Sequence, residues 1–267
     1  MTSRFHLGAP RMARRPVAAL LVAAALLAGC GTDDAADPLF PSGPTGRVRF
    51  VNLITDTTRA RVNLILAGTP WNGNQVNGQV TPFTLGTVAA PQLYSPILTG
   101  TRTLVLQRTR DTTVTVATVN FDVVAEADYT IYATGGAGGS AVTSFITRDT
   151  NTVPTAAQSR VRVVHLAPAA GNVDVFVTAP TADITAPTVT PTLANVPLRG
   201  AAYLTVAPAT VRVRVVPAGT APAARTGAAI LLDANNVVLP AAGNRTIVAA
   251  DAVTGGTPLR ALVLTDR

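Results

Sequence analysis

The sequence predicts an all-β protein with two tandem immunoglobulin-like antiparallel β-sandwich domains. Val, Ile and Thr dominate the chain from residue 47 onward, and Gly, Pro and Asn interrupt it at short intervals. Val211, Val213 and Val215 alternate with polar residues, which places one set of side chains on each face of a strand. Beyond the N-terminal segment, no stretch keeps a helical period for three turns. We therefore expect about seven strands in each domain.

Residues 1–29 have the composition of a secretory signal peptide. Four arginines precede the apolar stretch from Val17 to Ala28. A membrane-spanning helix needs roughly 20 apolar residues, so this stretch is too short to cross a bilayer and matches a signal-peptide core. The pair Arg14-Arg15 leaves twin-arginine export open, although the Pro16 that follows favours the ordinary secretory route.

Cys30 is the only cysteine of the chain and follows Leu27-Ala28-Gly29. Small residues before one cysteine, at the end of an apolar run, predict cleavage and lipidation of Cys30. Two or more acyl chains hold a protein stably at a membrane. Residues 30–46 are small, acidic and rich in Pro and Gly, which predicts a flexible tether. Gly31 favours the outer membrane, with the domains facing the periplasm or the exterior.

The charge pattern argues against nucleic-acid binding. Without the predicted leader, 17 arginines remain against 14 acidic residues, a net charge of +3. The arginines are single or in alternating pairs, whereas a nucleic-acid site needs a clustered basic patch. We expect the pairs to be solvated stripes on sheet faces. They are Arg47/Arg49, Arg160/Arg162 and Arg212/Arg214.

The chain after the tether repeats itself. The segment from Arg47 to Leu53 returns as Arg160 to Leu166, and the segment from Val62 to Leu66 returns as Val173 to Val177. Later segments correspond in the same order. Self-similarity at a long period indicates repeated structural units. We therefore expect one domain at 47–150 and a second at 158–267.

Two stretches resemble a known bacterial family. Arg160 to Val177 and Tyr129 to Gly135 are similar to the family called domain of unknown function 4397. The first repeat departs from this pattern at Asn52 and Thr55-Asp56, and the second lacks the Tyr-Thr-Ile-Tyr strand. The resemblance covers both repeats and implies an exported or surface sandwich domain, usually in tandem. It implies no chemistry.

Few residues could serve in catalysis. After the leader, the chain has one histidine, His165, and one glutamate, Glu126. His165 shares a strand face with Val161 and Val163, which favours a core or rim position. The acids Asp122, Glu126 and Asp128 lie in a segment that reads as a solvated turn between strands. No calcium or zinc spacing occurs, so we expect no cofactor and no metal.

Glycines 135, 136, 138 and 139 lead into another strand and predict a hairpin connection rather than a phosphate loop.

Two long polar loops are the expected binding surfaces, at Gly68 to Leu93 and at Thr178 to Arg199. The first contains the only tryptophan among amides, a combination suited to sugar stacking or protein contact. The alternative is that Trp71 packs over the end of its own sandwich. The candidate contact residues are Trp71, Asn72, Asn74 and Phe83.

These features predict a cell-envelope lipoprotein, anchored to the membrane through lipid, that acts as a non-catalytic binding, adhesion or scaffold module. Its expected ligand is a protein or a glycan. The alternative is an envelope glycan hydrolase that uses Asp122, Glu126 or Asp128.

Lipidation of Cys30 has a direct test. Protein extracted from membranes should lack residues 1–29 and exceed the mass of the polypeptide 30–267 by its acyl chains. Intact-mass spectrometry of the wild type and of Cys30→Ser measures both. A cleaved product without added mass would contradict the anchor, and an uncleaved product would make the segment before Cys30 the membrane anchor.

Overall fold

The structure is a computed structural model that describes residues 43–81 and 93–267. These residues form 17 β-strands and four short 3₁₀ turns, which confirms the all-β prediction. The first nine strands are β1 (Thr45–Ile54), β2 (Val62–Leu66), β3 (Thr69–Gln75), β4 (Val80–Thr81), β5 (Ser95–Leu98), β6 (Gly100–Arg108), β7 (Asp111–Val123), β8 (Asp128–Gly135) and β9 (Val142–Asp149). The other eight are β10 (Ser159–Leu166), β11 (Val173–Thr178), β12 (Leu193–Val196), β13 (Ala201–Val206), β14 (Ala209–Pro217), β15 (Leu232–Leu239), β16 (Asn244–Ala250) and β17 (Arg260–Thr265).

The 3₁₀ turns are Ala137–Gly139, Pro168–Ala170, Pro222–Ala224 and Gly227–Ala229. Nothing helical in the described ranges has the length and apolar character that crossing a bilayer requires.

Residues 43–149, here called the first half, form two sheets around one apolar core. One sheet has the order β4-β1-β8-β9, with β5 also paired to β1, and the other has the order β3-β2-β6-β7. In β2, Val62, Leu64 and Leu66 are buried while the residues between them are half-buried. This alternation turns one face of the strand to the core, where burial of apolar surface stabilises the fold. The core takes residues from both sheets, including Val48, Phe50, Leu64, Leu104 and Ile131.

Residues 159–267, here called the second half, have the same arrangement. Their sheets have the orders β13-β10-β16-β17 and β12-β11-β14-β15. The segments that correspond in sequence occupy equivalent places, since Arg47 to Leu53 lies in β1 and Arg160 to Leu166 lies in β10. The core of this half includes Val161, Val175, Val213, Leu232 and Ile247.

One pairing in each half departs from the expected antiparallel arrangement. β1 runs parallel to β8, and β10 runs parallel to β16. A parallel pair needs a long crossover connection, and the strands of the opposite sheet supply it in both halves. The parallel register places Arg47 beside Asp128.

A third apolar cluster lies between the two halves. Its buried members are Val51, Leu53, Tyr132, Val164, Leu166, Val248, Ala250 and Leu264. β1 is consequently buried at every position from Val48 to Ile54. One face of this strand packs in the first core and the other against the second half. A strand covered on both faces requires a nearly continuous apolar run.

Four charged side chains form what we call the reciprocal ion pairs between the halves. Arg49 in β1 donates to Asp266, which directly follows β17. Arg162 in β10 donates to Asp149 at the end of β9, with a distance of 2.5 Å from Nη1 to Oδ1. Both arginines are 1% exposed, and the aspartates are 6% exposed. Each half therefore contributes an arginine that pairs with the C-terminal strand end of the other half.

Threonine hydroxyls bind the Nε atoms of both arginines in the same way, while Arg162 Nη2 has no acceptor among the described residues. Arg49 Nε donates to Thr130 Oγ1 at 2.8 Å, and Arg162 Nε donates to Thr246 Oγ1 at 3.0 Å. Thr130 donates to Asp149, and Thr246 donates to Asp266. A buried charge is tolerated when its hydrogen-bonding groups are satisfied, and these threonines satisfy groups that the ion pairs leave over.

A tyrosine ring faces each buried guanidinium. The Arg49 carbon Cζ lies 4.7 Å from the centre of the Tyr94 ring, and Arg162 Cζ lies 5.2 Å from the centre of the Tyr203 ring. Tyr94 also donates to Asp149 at 2.8 Å. Cation–π contacts of desolvated arginines add to the stability of the pairs.

The expectation that the arginine pairs are solvated is wrong for one member of each pair. Arg49, Arg162 and Arg214 are buried. Only the arginines two residues before them, Arg47, Arg160 and Arg212, are partly exposed. The other half covers Arg49 and Arg162. The segment after β11 covers Arg214, which donates to Thr178 Oγ1 and to the Ala182 carbonyl. The strand alternation correctly places both arginines of a pair on one face, but it cannot show what packs on that face.

Removing one charge from the reciprocal ion pairs should destabilise the whole fold. Asp149→Asn keeps the size of the side chain but leaves two buried arginines with one acid. Loss of one partner of a buried pair costs about 3–5 kcal/mol, and we expect a decrease of that size in the free energy of unfolding. Urea denaturation followed by circular dichroism measures it.

The matched control is Asp122→Asn, since Asp122 is exposed and accepts one hydrogen bond, from Thr101. We expect a change below about 0.5 kcal/mol for this surface substitution. Equal effects of the two substitutions would show that the buried charges do not hold the halves together.

Candidate functional site

Trp71 lies on β3, an edge strand, and not in the polar loop that the sequence suggested. Leu64 pairs with Asn72 and Ile65 pairs with Pro70, so Trp71 is the extra residue of a β-bulge. A bulge redirects a side chain. Trp71 is half-buried, packs against the first core and donates from Nε1 to Ser95 Oγ at 3.2 Å.

The neighbouring amides also form hydrogen bonds within the first half. Asn72 donates to Thr81 Oγ1 at 3.2 Å. Asn74 is exposed, has a left-handed backbone with φ 53° and accepts from Arg61 Nη1 at 2.9 Å. Phe83 lies outside the described residues, as does Cys30. The structure therefore places Trp71, Asn72 and Asn74 on one strand, with their polar groups already engaged in part.

The second expected loop is also partly structured. It contains β12, which pairs with β11. It also contains Ile184, which packs with Phe176 and Val216 in a small buried cluster. Arg225 fixes this segment by donating to the carbonyls of Ile184 and Val189. The part nearest β11 therefore serves packing.

The three acids of the predicted solvated turn have different environments. Asp122 and Glu126 are exposed, as expected, but Asp128 is 4% exposed. Arg47 forms ion pairs with both Glu126 and Asp128. Asn151 also donates to Asp128 at 2.5 Å. The expectation for Asp128 is wrong because the parallel pairing of β1 and β8 brings Arg47 beside it.

Asp128 lies at the floor of a cleft of about 600 Å³. We call it the linker cleft, because residues 149–153 at the junction of the two halves form one side. Its charged lining residues are Arg47, Glu126, Asp128, Arg148, Asp149 and Arg267. The Arg148 side chain is exposed and makes no hydrogen bond or ion pair with any other described residue. The cleft therefore combines a neutralised floor with a free guanidinium at its edge.

Hydrogen bonds hold the linker side of this cleft in place. Arg160 donates to the Thr150 carbonyl at 2.7 Å, and the Thr150 N–H donates to Tyr203 Oη at 3.0 Å. Arg267 Nη1 lies 3.8 Å from Asp128 Oδ1. These contacts come from both halves, so the cleft depends on the way the halves pack.

His165 is fully buried, which agrees with the expectation of a core position. Its Nε2 lies 2.7 Å from the Gly171 carbonyl, so Nε2 carries the proton that forms this hydrogen bond. Burial lowers the pKa of His165, while the Gly171 bond and the charge of Asp251 oppose this change. A buried neutral histidine bound to backbone fixes a turn and is not accessible to a substrate.

The glycine-rich segment forms the expected hairpin connection, since β8 and β9 are antiparallel neighbours. Within residues 43–81 and 93–267, no three His, Cys, Asp or Glu side chains gather as a metal site would require.

The structure also shows a basic cleft that the sequence did not indicate. We call it the arginine cleft. It measures about 300 Å³ and is lined by Thr57, Thr58, Arg61, Arg108 and Arg110. The sequence predicts neither the linker cleft nor the arginine cleft, because each is lined by residues from distant segments. The only local signal was the alternation of Arg108 and Arg110 before a turn.

Two solved structures show a distant likeness to this chain. One is a family 41 carbohydrate-binding module, from streptococcal virulence factors, whose structure concerns α-glucan recognition. It has 10% identity and a TM-score of 0.22, over 82% of this chain and 96% of that chain. The other is a candidate adhesin from Bacteroides ovatus, with 9% identity and a TM-score of 0.21, over 83% of this chain and 93% of that chain. TM-scores this low establish neither a common fold nor a common ligand.

A search of curated proteins gives no match. The sequence profile of DUF4397, described as a domain of unknown function, matches residues 46–176. The matched region contains nearly all of β1 through β10 and most of β11, so it extends from the first half into the second. This match supports the DUF4397 family for residues 46–176 of the chain.

Proposed function

We propose that the protein is a non-catalytic binding module of the bacterial cell envelope, held by lipid on Cys30, whose linker cleft binds a glycan or protein ligand. The observation that carries this proposal is the lining of that cleft. Its acids are all in ion pairs, Glu126 and Asp128 with Arg47 and Asp149 with Arg162. Arg148, Thr150 and Thr152 are exposed at its edge. Exposed donors and acceptors above a neutral floor suit a polar ligand.

The state of the acids argues against the hydrolase alternative. A glycosidase needs one carboxylic acid that stays protonated and a second that is free to act as base or nucleophile. Arg47 forms ion pairs with both Glu126 and Asp128, so neither carboxylate is free to act as base or nucleophile. Asp122 accepts from Thr101 on the exposed end of β7 and does not line the cleft.

The size and rigidity of the cleft support a binding role. Ligand sites in proteins measure about 300–1,000 Å³, and the linker cleft lies in that range at about 600 Å³. Both halves contribute to its walls, and the reciprocal ion pairs hold the halves in register. A preformed site does not lose conformational entropy when its ligand binds, which increases affinity.

The lipid tether supports an envelope location. An acylated Cys30 on the predicted tether would leave the folded part able to reach a ligand near the membrane surface. We propose the outer membrane as the site of anchoring, on the basis of Gly31.

Binding at the linker cleft should depend on Arg148. On an array of neutral glycans, followed by titration calorimetry with the glycans retained, we expect Arg148→Ala to reduce affinity about tenfold, equivalent to about 1.4 kcal/mol. The control Arg110→Ala removes the same charge from the arginine cleft and should leave affinity within about twofold. If no glycan on the array bound, or if both variants lost affinity equally, a glycan site in this cleft would be contradicted. Pull-down partners that distinguish the same two variants would then identify a protein ligand.

Trp71, with Asn72 and Asn74, is the second surface to be tested. Because Trp71 packs against the first core, we expect Trp71→Ala to lower the free energy of unfolding by about 2 kcal/mol, less than for a fully buried tryptophan. A ligand of the linker cleft should leave the fluorescence of this only tryptophan unchanged. Quenching by a glycan, together with reduced affinity in Trp71→Phe at unchanged stability, would assign the contact to β3 instead.

A further inference from the structure

The arginine cleft lies at one end of the sheet β3-β2-β6-β7. Arg61 directly precedes β2, Arg108 ends β6, and Arg110 lies in the short turn before β7. The pairing of β2 with β6 places Val62 beside Arg108. The Thr109 N–H donates to the Arg61 carbonyl at 3.0 Å, which holds the two segments together. The fold therefore brings three guanidinium groups to one cleft.

These three arginines form no ion pair with any acid among the described residues. Arg61 donates one hydrogen bond, to Asn74 Oδ1. Arg108 Nε is shielded from solvent and has no acceptor in the part of the chain that the structure describes. A buried donor without an acceptor costs about 1–3 kcal/mol, and more for a charged group. A ligand with acceptor atoms would satisfy it.

The two nearest acids are occupied elsewhere. Burial opposes ionisation of Asp56, but hydrogen bonds from Arg59 and Thr58 lower its pKa to about 2. Hydrogen bonds from Thr113 lower the pKa of Asp111, with a smaller effect from the charge of Arg108. Arg59 neutralises Asp56, and the single charge of Asp111 offsets only one of the three arginines, so the cleft keeps a net positive charge.

The chemistry of guanidinium selects the ligand. Its planar donors match the paired oxygens of carboxylate, phosphate and sulfate groups in a bidentate geometry. Three like charges in one cleft repel each other, and an anion bound between them offsets that repulsion by attracting all three. The Thr57 hydroxyl at the same cleft adds a further group that can contact an oxyanion, whereas the Thr58 hydroxyl already donates to Asp56.

We propose that Arg61, Arg108 and Arg110 form a binding site for an oxyanionic group, separate from the linker cleft. The group is either a free inorganic anion or a sulfate, phosphate or carboxylate carried by a polysaccharide. This site does not require the proposed function of the linker cleft.

The test is titration calorimetry of the full mature protein at low ionic strength with four probes: inorganic phosphate, inorganic sulfate, heparin and neutral dextran. We expect binding of heparin or of an inorganic anion, no binding of dextran, and weaker binding as salt increases, because salt screens exposed charges. Arg110→Gln and Arg61→Gln should each reduce affinity at least about fivefold. Both residues are exposed, so these variants should fold. Arg108→Gln, in a half-buried position, should reduce it further.

The control is Arg199→Gln, which removes the same charge from an exposed position outside both clefts and should leave anion affinity within about twofold. Binding of heparin alone identifies a group attached to a polymer, and binding of the inorganic anions identifies a free anion. Absence of binding by all three anionic probes overturns the proposal. So does an equal loss in Arg199→Gln and Arg110→Gln, which would show only general attraction to a positive protein. Glycan binding that depends on Arg148 is measured separately, so either site can fail without the other.

Discussion

The arrangement of the molecule depends on the reciprocal ion pairs between its halves. Arg49 and Arg162 are fully buried, and each is neutralised by an aspartate from the opposite half. Buried ion pairs contribute little net stability, but misplacing one partner leaves an uncompensated charge in a dry interface. A shift of one half against the other would separate both pairs at once. The network therefore specifies how the two halves are arranged, while the apolar cluster around Tyr132 supplies the stabilising burial.

The same residues explain where the linker cleft forms. Asp149 ends β9 and accepts from Arg162, and the linker begins at the next residue. Asp266 follows β17 and accepts from Arg49, and Arg267 comes next in the chain. Because these ends are fixed by buried charges, Thr150 and Arg267 reach the wall of one cleft. Asp128 joins them through the parallel register of β1 and β8. The candidate binding site is thus a consequence of the interface.

Arginine has separate roles in a chain without lysine. Some arginines are buried with acids or carbonyl groups, as Arg49, Arg162 and Arg225 are. Others line clefts and have no acid partner among the described residues, as Arg110 and Arg148 do. A guanidinium remains charged in either setting and presents donors in a fixed plane, so it serves both interior pairing and recognition of oxyanions. Net charge alone does not distinguish these roles.

Local pattern by itself determined the strand content and the hairpin after Gly135, because a period of two and turn residues act over a few neighbours. The order of strands in each sheet, with its parallel pair, was not predicted. The core position of His165 followed from the same period. Tertiary structure alone decided that Arg49 and Arg162 are buried, that Asp128 is paired and that Trp71 lies in a bulge of an edge strand. It also formed both clefts. These features arise where residues far apart in the chain meet, and a strand's alternation shows which side chains share a face but not what covers that face.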